Sequence, residues 1–278
     1  MIYKHLIVVT LLLITVVPGA YAQQLPRWEL GIGVGGLNLP YYRGSDIYRN
    51  YAAPYPYITY RGERLNIDRG GIQGHLFKSD RVKLDLSLAA GIPVSSDGDS
   101  PRAGMPDLDP TVELGPSLEL NLWQSNHKRQ SLWFKLPLRS AHSIGGEGIF
   151  KHRGWTFSPF LEYTAKSLKR DDWKTSISVG PLYADRDYHN YFYEVHPTYV
   201  TPVRSEYHAT SGYSGARTTL TIRKHLTDKL QIGGFARFDT LKNSAFEDSP
   251  LVSTKHYRAL GVALVWMLSQ SEEMVHVP

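Results

Sequence analysis

Residues 111–123 alternate in polarity: Val112, Leu114, Leu118, Leu120 and Leu122 share one face, while Thr111, Glu113, Ser117, Glu119 and Asn121 share the other. A period of two marks a β-strand lying between unlike environments. The same alternation recurs in residues 28–36, 54–60, 65–69, 72–77, 82–92, 132–142, 155–168, 173–183, 212–226, 230–241 and 257–268. Short charged turns at 61–64, 78–81, 125–130, 169–172 and 227–229 trade places with longer connections at 37–53, 93–110, 145–154, 185–211 and 243–254. This rhythm predicts an all-β fold, a transmembrane antiparallel up-and-down β-barrel with short periplasmic turns and longer extracellular loops. The count is about twelve strands. It stays even only if 68–71 forms a hairpin, and ten is the alternative if two weaker segments are loop or plug.

The pattern also assigns faces. Leu260, Val262, Leu264, Trp266 and Leu268 of the last strand are expected toward lipid, as are Val82, Leu84, Leu86, Leu88 and Ala90, and Trp173, Thr175, Ile177, Val179 and Tyr183. Their neighbours Lys83, Asp85 and Ser87, and Lys174, Ser176, Ser178 and Gly180, are expected inside. A soluble β-sandwich alternates too, but apolar faces this long exceed what a two-sheet core of this size needs.

Lys4 and His5, an apolar run over 6–17, Pro18-Gly19 and Ala20-Tyr21-Ala22 read as an export signal cleaved after Ala22. Residues 23–278 are then a single outer-membrane barrel domain. A mean hydropathy of −0.30 is no objection, because a barrel needs only alternate residues apolar. Zero cysteines exclude disulfides and thiolate metal sites, and 18 Tyr with 6 Trp suit girdles at two headgroup layers. The net charge of +5 is spread among interspersed acids and bases, without the basic stripe that nucleic acid requires.

Inward positions carry Asp85, Glu113, Glu119, Lys135, Arg139, Glu162, Arg217, Arg223, Arg237 and Asp239. Such charges either pair as lumen filling, since an unpaired charge in a partly dehydrated bore costs several kcal/mol, or line an anion path. His142-Ser143 falls short of hydrolase chemistry, because adjacent strand residues face opposite ways. His189, His196 and His208 are too widely spaced for a tight metal motif. The glycines of 31–36 precede no helix and read as strand curvature or close packing rather than a phosphate loop. No cofactor is expected. Tyr188, Tyr191, Phe192, Tyr193 and Tyr199 crowd one long loop, where they serve either outer-surface recognition of sugar or protein, or an inward plug.

Pro40-Tyr41-Tyr42-Arg43-Gly44-Ser45, Pro54-Tyr55-Pro56-Tyr57, Pro106-Asp107-Leu108-Asp109-Pro110-Thr111 with Glu113-Leu114-Gly115-Pro116, and Asp248-Ser249-Pro250-Leu251-Val252 together resemble the MltA-interacting protein (MipA/OmpV) family, in the family's order across the mature chain. Tyr191-Phe192-Tyr193-Glu194-Val195 is similar to the family's Tyr-Tyr-Gly-Val segment, with Glu194 at the glycine position. The resemblance implies an outer-membrane protein without catalytic activity. In the best-known members it acts as a scaffold linking a murein lytic transglycosylase to a bifunctional penicillin-binding protein, and others are associated with adhesion or osmotic response. Periplasmic contacts would come from charged turns holding His127, Lys128, Arg129, Lys169 and Arg170, plus the tail. A small-solute channel or a surface adhesin is the alternative.

Overall fold

A computed structural model describes residues 23–62, 65–68, 71–79, 81–98, 100–145, 148–167 and 173–277. The expected signal segment, Lys169 and Arg170 lie outside the described residues. The strands are β1 (Gln23–Pro26), β2 (Trp28–Pro40), β3 (Tyr48–Arg61), β4 (Leu65–Asp68), β5 (Gly71–Lys78), β6 (Val82–Gly91), β7 (Thr111–Gln124), β8 (Gln130–Gly145), β9 (Gly148–Phe157), β10 (Phe160–Lys166), β11 (Lys174–Ala184), β12 (Gly212–His225), β13 (Leu230–Thr240), β14 (His256–Gln270) and β15 (Met274–Val277). One helix, α1 (Arg186–Tyr193), follows β11.

Strands β2 to β14 form one antiparallel sheet of thirteen segments. β9 and β10 occupy a single place in the wall, interrupted at Ser158-Pro159, because both lie between β8 and β11. Proline cannot donate to a ladder, which weakens the wall there, although Pro116, Pro137 and Pro181 are accommodated within unbroken strands. Twelve wall positions result, and β14 pairing with β2 closes the ring. The 68–71 hairpin that parity demanded is present, with Asp68 opposite Gly71.

Several strands run longer than their apolar pattern. β3 begins at Tyr48 and β2 continues to Pro40, so the connection over 37–53 shrinks to 41–47. Cross-strand backbone bonds hold these extensions beyond the lipid belt, where apolar alternation is no longer required. β1 and β15 lie outside the ring and pair with each other, Gln23 opposite Val277 and Pro26 opposite Met274. This two-stranded ribbon hangs from the end with the short turns, fastened by Arg27 N–H to the Glu273 carbonyl at 2.8 Å and an Arg27–Glu273 ion pair at 2.9 Å.

The outer surface follows the alternation. On β14, Leu260, Val262, Trp266 and Leu268 are 51%, 67%, 59% and 66% exposed, whereas Ala259 and Val265 between them are 2% and 0%. So large an exposed apolar surface is stable only against hydrocarbon. Exposed Trp123, Trp173 and Trp266 flank it near the short turns, and Tyr48, Trp155 and Tyr183 toward the long loops, the two aromatic girdles of a barrel that spans a bilayer.

One sector of the wall is low. β4 meets β3 only at Tyr60 and Arg61, and β5 meets β6 only over residues 83–85. Among the described strands, the rest of β3 and residues 86–91 of β6 have a neighbour on one side alone.

Candidate functional site

The bore is divided in two. Its long-loop half is filled by protein, and its short-turn half is a cavity.

The plug grows from four connections, 41–47, 92–110, 185–211 and 241–255, whose apolar side chains turn inward. Tyr42, Val94, Leu108, Tyr193, Leu241 and Phe246 form its buried core together with Tyr257 of the wall. Tyr193 and Phe246 stack at 3.8 Å with a 7° interplanar angle, and His189 meets Phe246 edge-on at 4.9 Å. α1 starts at Asp185, whose carboxylate accepts from the Tyr188 N–H at 2.9 Å as a helix cap and from the Trp155 N–H at 3.0 Å. Gly154 makes this approach possible. Its φ is +113°, and a Cβ there would fall 2.2 Å from the Asp185 carboxylate and 2.5 Å from the Tyr188 nitrogen.

Most polar atoms inside the plug find partners, with Ser100 Oγ, Arg102 Nε and Ser244 Oγ as exceptions. The Tyr193 hydroxyl donates to the Arg43 carbonyl at 2.8 Å and the Tyr42 hydroxyl to the Leu251 carbonyl at 2.7 Å. His189 Nδ1 lies 2.6 Å from the Thr210 carbonyl and Nε2 lies 2.7 Å from Ser214 Oγ. A carbonyl can only accept, so Nδ1 carries the proton and Nε2 accepts from the serine. Burial pushes the His189 pKa below the ordinary imidazole range, against the opposing Thr210 hydrogen bond. Arg102 ties the second loop to the third through the Phe192 carbonyl at 2.9 Å, and Arg204 returns the tie to the Pro101 and Ala103 carbonyls, each at 2.9 Å.

Of the ring cluster read from the sequence, Tyr188, Tyr191, Phe192 and Tyr193 turn into the barrel mouth, and Tyr199 is half-buried. Tyr188 donates to Glu113 at 2.9 Å, and Tyr191 donates to the Asp109 carbonyl at 3.0 Å.

The inward charges sort by height. Beneath the plug, Asp239 is fully buried and receives Arg43 Nε at 2.8 Å and Arg217 Nη2 at 2.8 Å. A buried carboxylate held by two guanidiniums is compensated; with either removed, the remainder would be costly. Arg43 also donates to the Ser214 carbonyl at 2.6 Å, locking the first loop to β12. Arg139 stands 3.8 Å from Glu113 and donates to Ser87 at 2.8 Å. Arg237 lies with its guanidinium 5.9 Å from the Phe235 ring centre. Lower down, Lys135 reaches Glu162 at 3.0 Å and Glu119 at 3.5 Å, and Asp85 is buried.

This layer forms the top of a cavity of about 910 Å³, which Arg139 and Lys135 help to line. Part of its wall lacks bulky side chains: Gly35, Gly233, Gly234, Gly261 and Ala263 line it. The Tyr55 and Phe235 rings lie against this wall, so a Cβ on Gly33 or Gly261 would come within 2.5 Å or 2.3 Å of them. Gly33 and Gly35 therefore make room for the Tyr55 ring inside the bore, whereas Gly31 allows close approach of the β14 backbone at Trp266. Toward the short turns the lining becomes basic. Eight cationic side chains and three carboxylates, Asp85, Glu119 and Glu162, face the space.

Four of the cations make a continuous row across neighbouring strands. The Lys166 N–H bonds the Arg129 carbonyl at 2.9 Å, Lys166 stands opposite Lys174, and Lys174 stands opposite Arg223. Like charges in register destabilise a sheet by roughly 0.2–1 kcal/mol for each pair. Among the described residues, neither Arg129 nor Arg223 has a carboxylate partner. Of the basic turn residues read from the sequence, Arg129 and Lys128 thus border the cavity mouth, Lys128 with a left-handed φ of 53°, and His127 is exposed beside them. Sequence reading missed Lys166 and Lys174 as members of the row, and Arg43, His189 and Phe246 as members of the plug.

His142 and Ser143 do not meet. Ser143 is fully buried and accepts from Arg153 Nε at 2.9 Å, whereas His142 packs edge-on against His152 at 5.3 Å.

No curated protein matches the chain. Among solved structures, the NanC porin aligns with 85% of this chain and 100% of its own at 10% identity and a TM-score of 0.42. An outer membrane channel from Pseudomonas putida F1 aligns with 91% and 100% at 14% identity and a TM-score of 0.40. The outer membrane protease OmpT from Escherichia coli aligns with 88% and 98% at 8% identity and a TM-score of 0.31. Similarity this distant lends no activity to the chain. A family model described as MltA-interacting protein MipA matches residues 32–268, nearly the whole ring from β2 to β14, and the chain belongs to that family.

Proposed function

We propose that this protein is a non-enzymatic scaffold of the outer membrane, exported by cleavage of residues 1–22, that holds murein-hydrolysing and murein-synthesising enzymes at the periplasmic face. The proposed partners are a lytic transglycosylase, which the family description names through MltA, and a penicillin-binding protein. The carrying observation is an asymmetry of ends. Loops fill the long-loop end, while the short turns and the β1–β15 ribbon gather at the other. Short turns face the periplasm in barrels of this class, so a periplasmic partner meets the open end.

The contact surface comprises the ribbon, with both its edges available for strand addition, and the turn holding His127, Lys128 and Arg129. Lys169 and Arg170 belong to the same proposal from their place in the sequence. Patches this small suit transient association, below the roughly 1,200–2,000 Å² of a standard interface. Pull-down from cross-linked envelopes tests the reading. Murein enzymes should be recovered with the intact chain and lost when residues 272–277 are removed or Lys128 and His127 are replaced by serine, while trimming of the outer loops leaves recovery unchanged. Recovery that survives both periplasmic changes refutes the scaffold.

The cavity favours one second reading, a small-solute channel. Passage would require the plug to leave the bore. Steady conductance of the refolded protein in planar bilayers, at a level matching an open bore, would establish the channel; silence until the plug is weakened supports the scaffold.

A further inference from the structure

We infer that the low sector of the wall is a side entrance to the cavity, through which a single-chain lipid amphiphile, a fatty acid or a lysophospholipid, passes from the bilayer into the bore and binds there. This site is independent of any protein partner.

The cavity meets the low sector from inside. Its lining takes Tyr51, Ala53 and Tyr55 from β3 and Leu86, Ser87 and Leu88 from β6, the two strands that flank the β4–β5 hairpin, and all six lie above the last residues that the hairpin pairs. One space therefore borders both sides of the gap.

The direction of the ladder bonds shows what the gap will accept. The Arg61 N–H bonds the Arg27 carbonyl at 2.7 Å and the β2–β3 register runs unbroken from Trp28 opposite Tyr60 to Pro40 opposite Tyr48, so odd-numbered residues of β3 bond to β2 and even-numbered ones point into the gap. Two of those even positions are Pro54 and Pro56, which have no N–H to give. Prolines on a free edge keep another strand from adding to it, and the occupant is accordingly not a peptide. On the other side, the Asn121 N–H bonds the Arg81 carbonyl at 2.8 Å and the β6–β7 register is unbroken, so Leu88 and Ala90 turn their backbone groups into the gap, where no described strand meets them. Water held on these groups and on the β3 carbonyls gives a polar head a route through the wall that hydrocarbon alone does not offer.

Inside, the lining next to the gap suits an acyl chain. Ala53 stands opposite Gly35, Gly35 opposite Ala263, and Ala263 opposite Gly233, which makes a smooth floor across four neighbouring strands, on the order of 14 Å at ordinary strand spacing. Leu37 and Phe235 border it. Across the cavity the wall is polar, with Lys135 held between Glu162 at 3.0 Å and Glu119 at 3.5 Å. A molecule with one apolar arm and one polar end matches both walls of this 910 Å³ space. A headless hydrocarbon leaves the polar wall unmatched, and a second chain finds no apolar wall of its own.

The test uses the full mature chain in nanodiscs of dioleoylphosphatidylcholine, with lysophosphatidylcholine or palmitic acid carrying a photoreactive diazirine at the chain end. Diazirine-bearing phosphatidylcholine and hexadecane serve as the two-chain and headless comparisons. Peptide mapping should place the single-chain probes saturably on residues 51–55, 233–235 or 261–263, and excess unlabelled palmitate or lysophosphatidylcholine should reduce that labelling tenfold or more. Labelling by either single-chain probe supports the proposal and identifies the head. Gly35→Leu fills the floor from a position where a Cβ meets only ordinary contacts, 3.4 Å from the Tyr55 ring and 3.6 Å from the Val262 carbonyl, and should lower interior labelling fivefold or more. Val34→Ala, on the exposed outer face beside it, should stay within twofold of the parent. Ala52→Trp with Ala90→Trp, two exposed positions that crowd the gap from outside, should slow labelling at least fivefold. Competition on the parent chain involves no substitution, so it decides the matter even where a variant fails to fold. Interior labelling that is absent, that is not competed, or that the two-chain or headless probe equals overturns the proposal. Unchanged labelling rates in a folded Ala52→Trp, Ala90→Trp variant overturn it too, because entry would then come from the short-turn end.

Discussion

The two halves of the bore solve the same problem in opposite ways. Both must accommodate charges inside a sheet ring. At the long-loop end the chain supplies its own partners: Asp239 takes two arginines, Glu113 takes Tyr188, and aromatic rings from four loops close over them. At the short-turn end the strands place basic residues side by side and leave a cavity in front of them. The first half is built like the core of a soluble domain, where removing one group strands its neighbours. The second is built around a space, with side chains such as Lys135, Glu119 and Glu162 paired along its wall. Stability therefore resides chiefly in the plug.

Substitutions should expose that contrast, and Asp239→Ala is expected to have the largest effect. It leaves Arg43 and Arg217 facing each other without a counter-charge, a loss of about 3–5 kcal/mol, read as a lower urea midpoint in lipid and as new proteolytic cutting within 185–211. Gly154→Ala follows at about 2–3 kcal/mol, because the new methyl meets the Asp185 cap at a left-handed φ. Its signature is faster hydrogen exchange in α1 with the strands unchanged.

A pH effect comes next. Above pH 6.5 His189 is neutral both in the plug and in the unfolded chain, so its contribution is complete. Below 6.5 the unfolded chain takes up a proton that the buried ring resists. The plug should thus lose exchange protection steadily between pH 6.5 and 5. His208 works in the opposite sense, since Glu194 and Glu206 raise its pKa and its stabilisation fades as pH rises through that raised value. His189→Gln, compared with the parent at both pH values, isolates the first effect and should flatten the acid loss. The smallest expected effect lies in the other half: Ser176→Ala, on the cavity wall, should shift the unfolding midpoint by no more than about 0.5 kcal/mol. A drop there as large as that of Asp239→Ala would erase the distinction between the halves.

The strands were legible because lipid imposes a rule on every second residue. Val262, Leu264 and Trp266 declare their face without knowledge of their neighbours, and the parity of the ring follows from turn lengths. The plug obeys no such rule. Tyr42, Val94, Tyr193 and Phe246 come from four connections spread over some two hundred residues of sequence, without period, so the same tyrosines read equally as outer recognition or inner packing. The cation row was hidden for another reason. Each strand contributes one basic residue, and only register makes four of them neighbours. A weak signal existed: Lys166 and Lys174 flank one turn symmetrically at inward parity, as Arg129 does at the foot of β8 and Arg223 at the foot of β12. Counting inward from each turn would have aligned them. The break at Ser158-Pro159 was hidden as well, because Pro116, Pro137 and Pro181 lie within unbroken strands.

The low sector formed by β4 and β5 gives the molecule a front. Along β3 above Tyr60 and along β6 above Asp85, amides and carbonyls point sideways toward no described strand, and acyl chains offer them nothing to bond. Water from the bore must reach these edges, so this stretch of the perimeter is wetted while the opposite side, around β11 and β12, stays dry. Lipids will pack unevenly around the ring. A neighbour drifting in the plane of the membrane thus meets a different molecule depending on its bearing, and an object that is nearly cylindrical in outline acquires a compass heading.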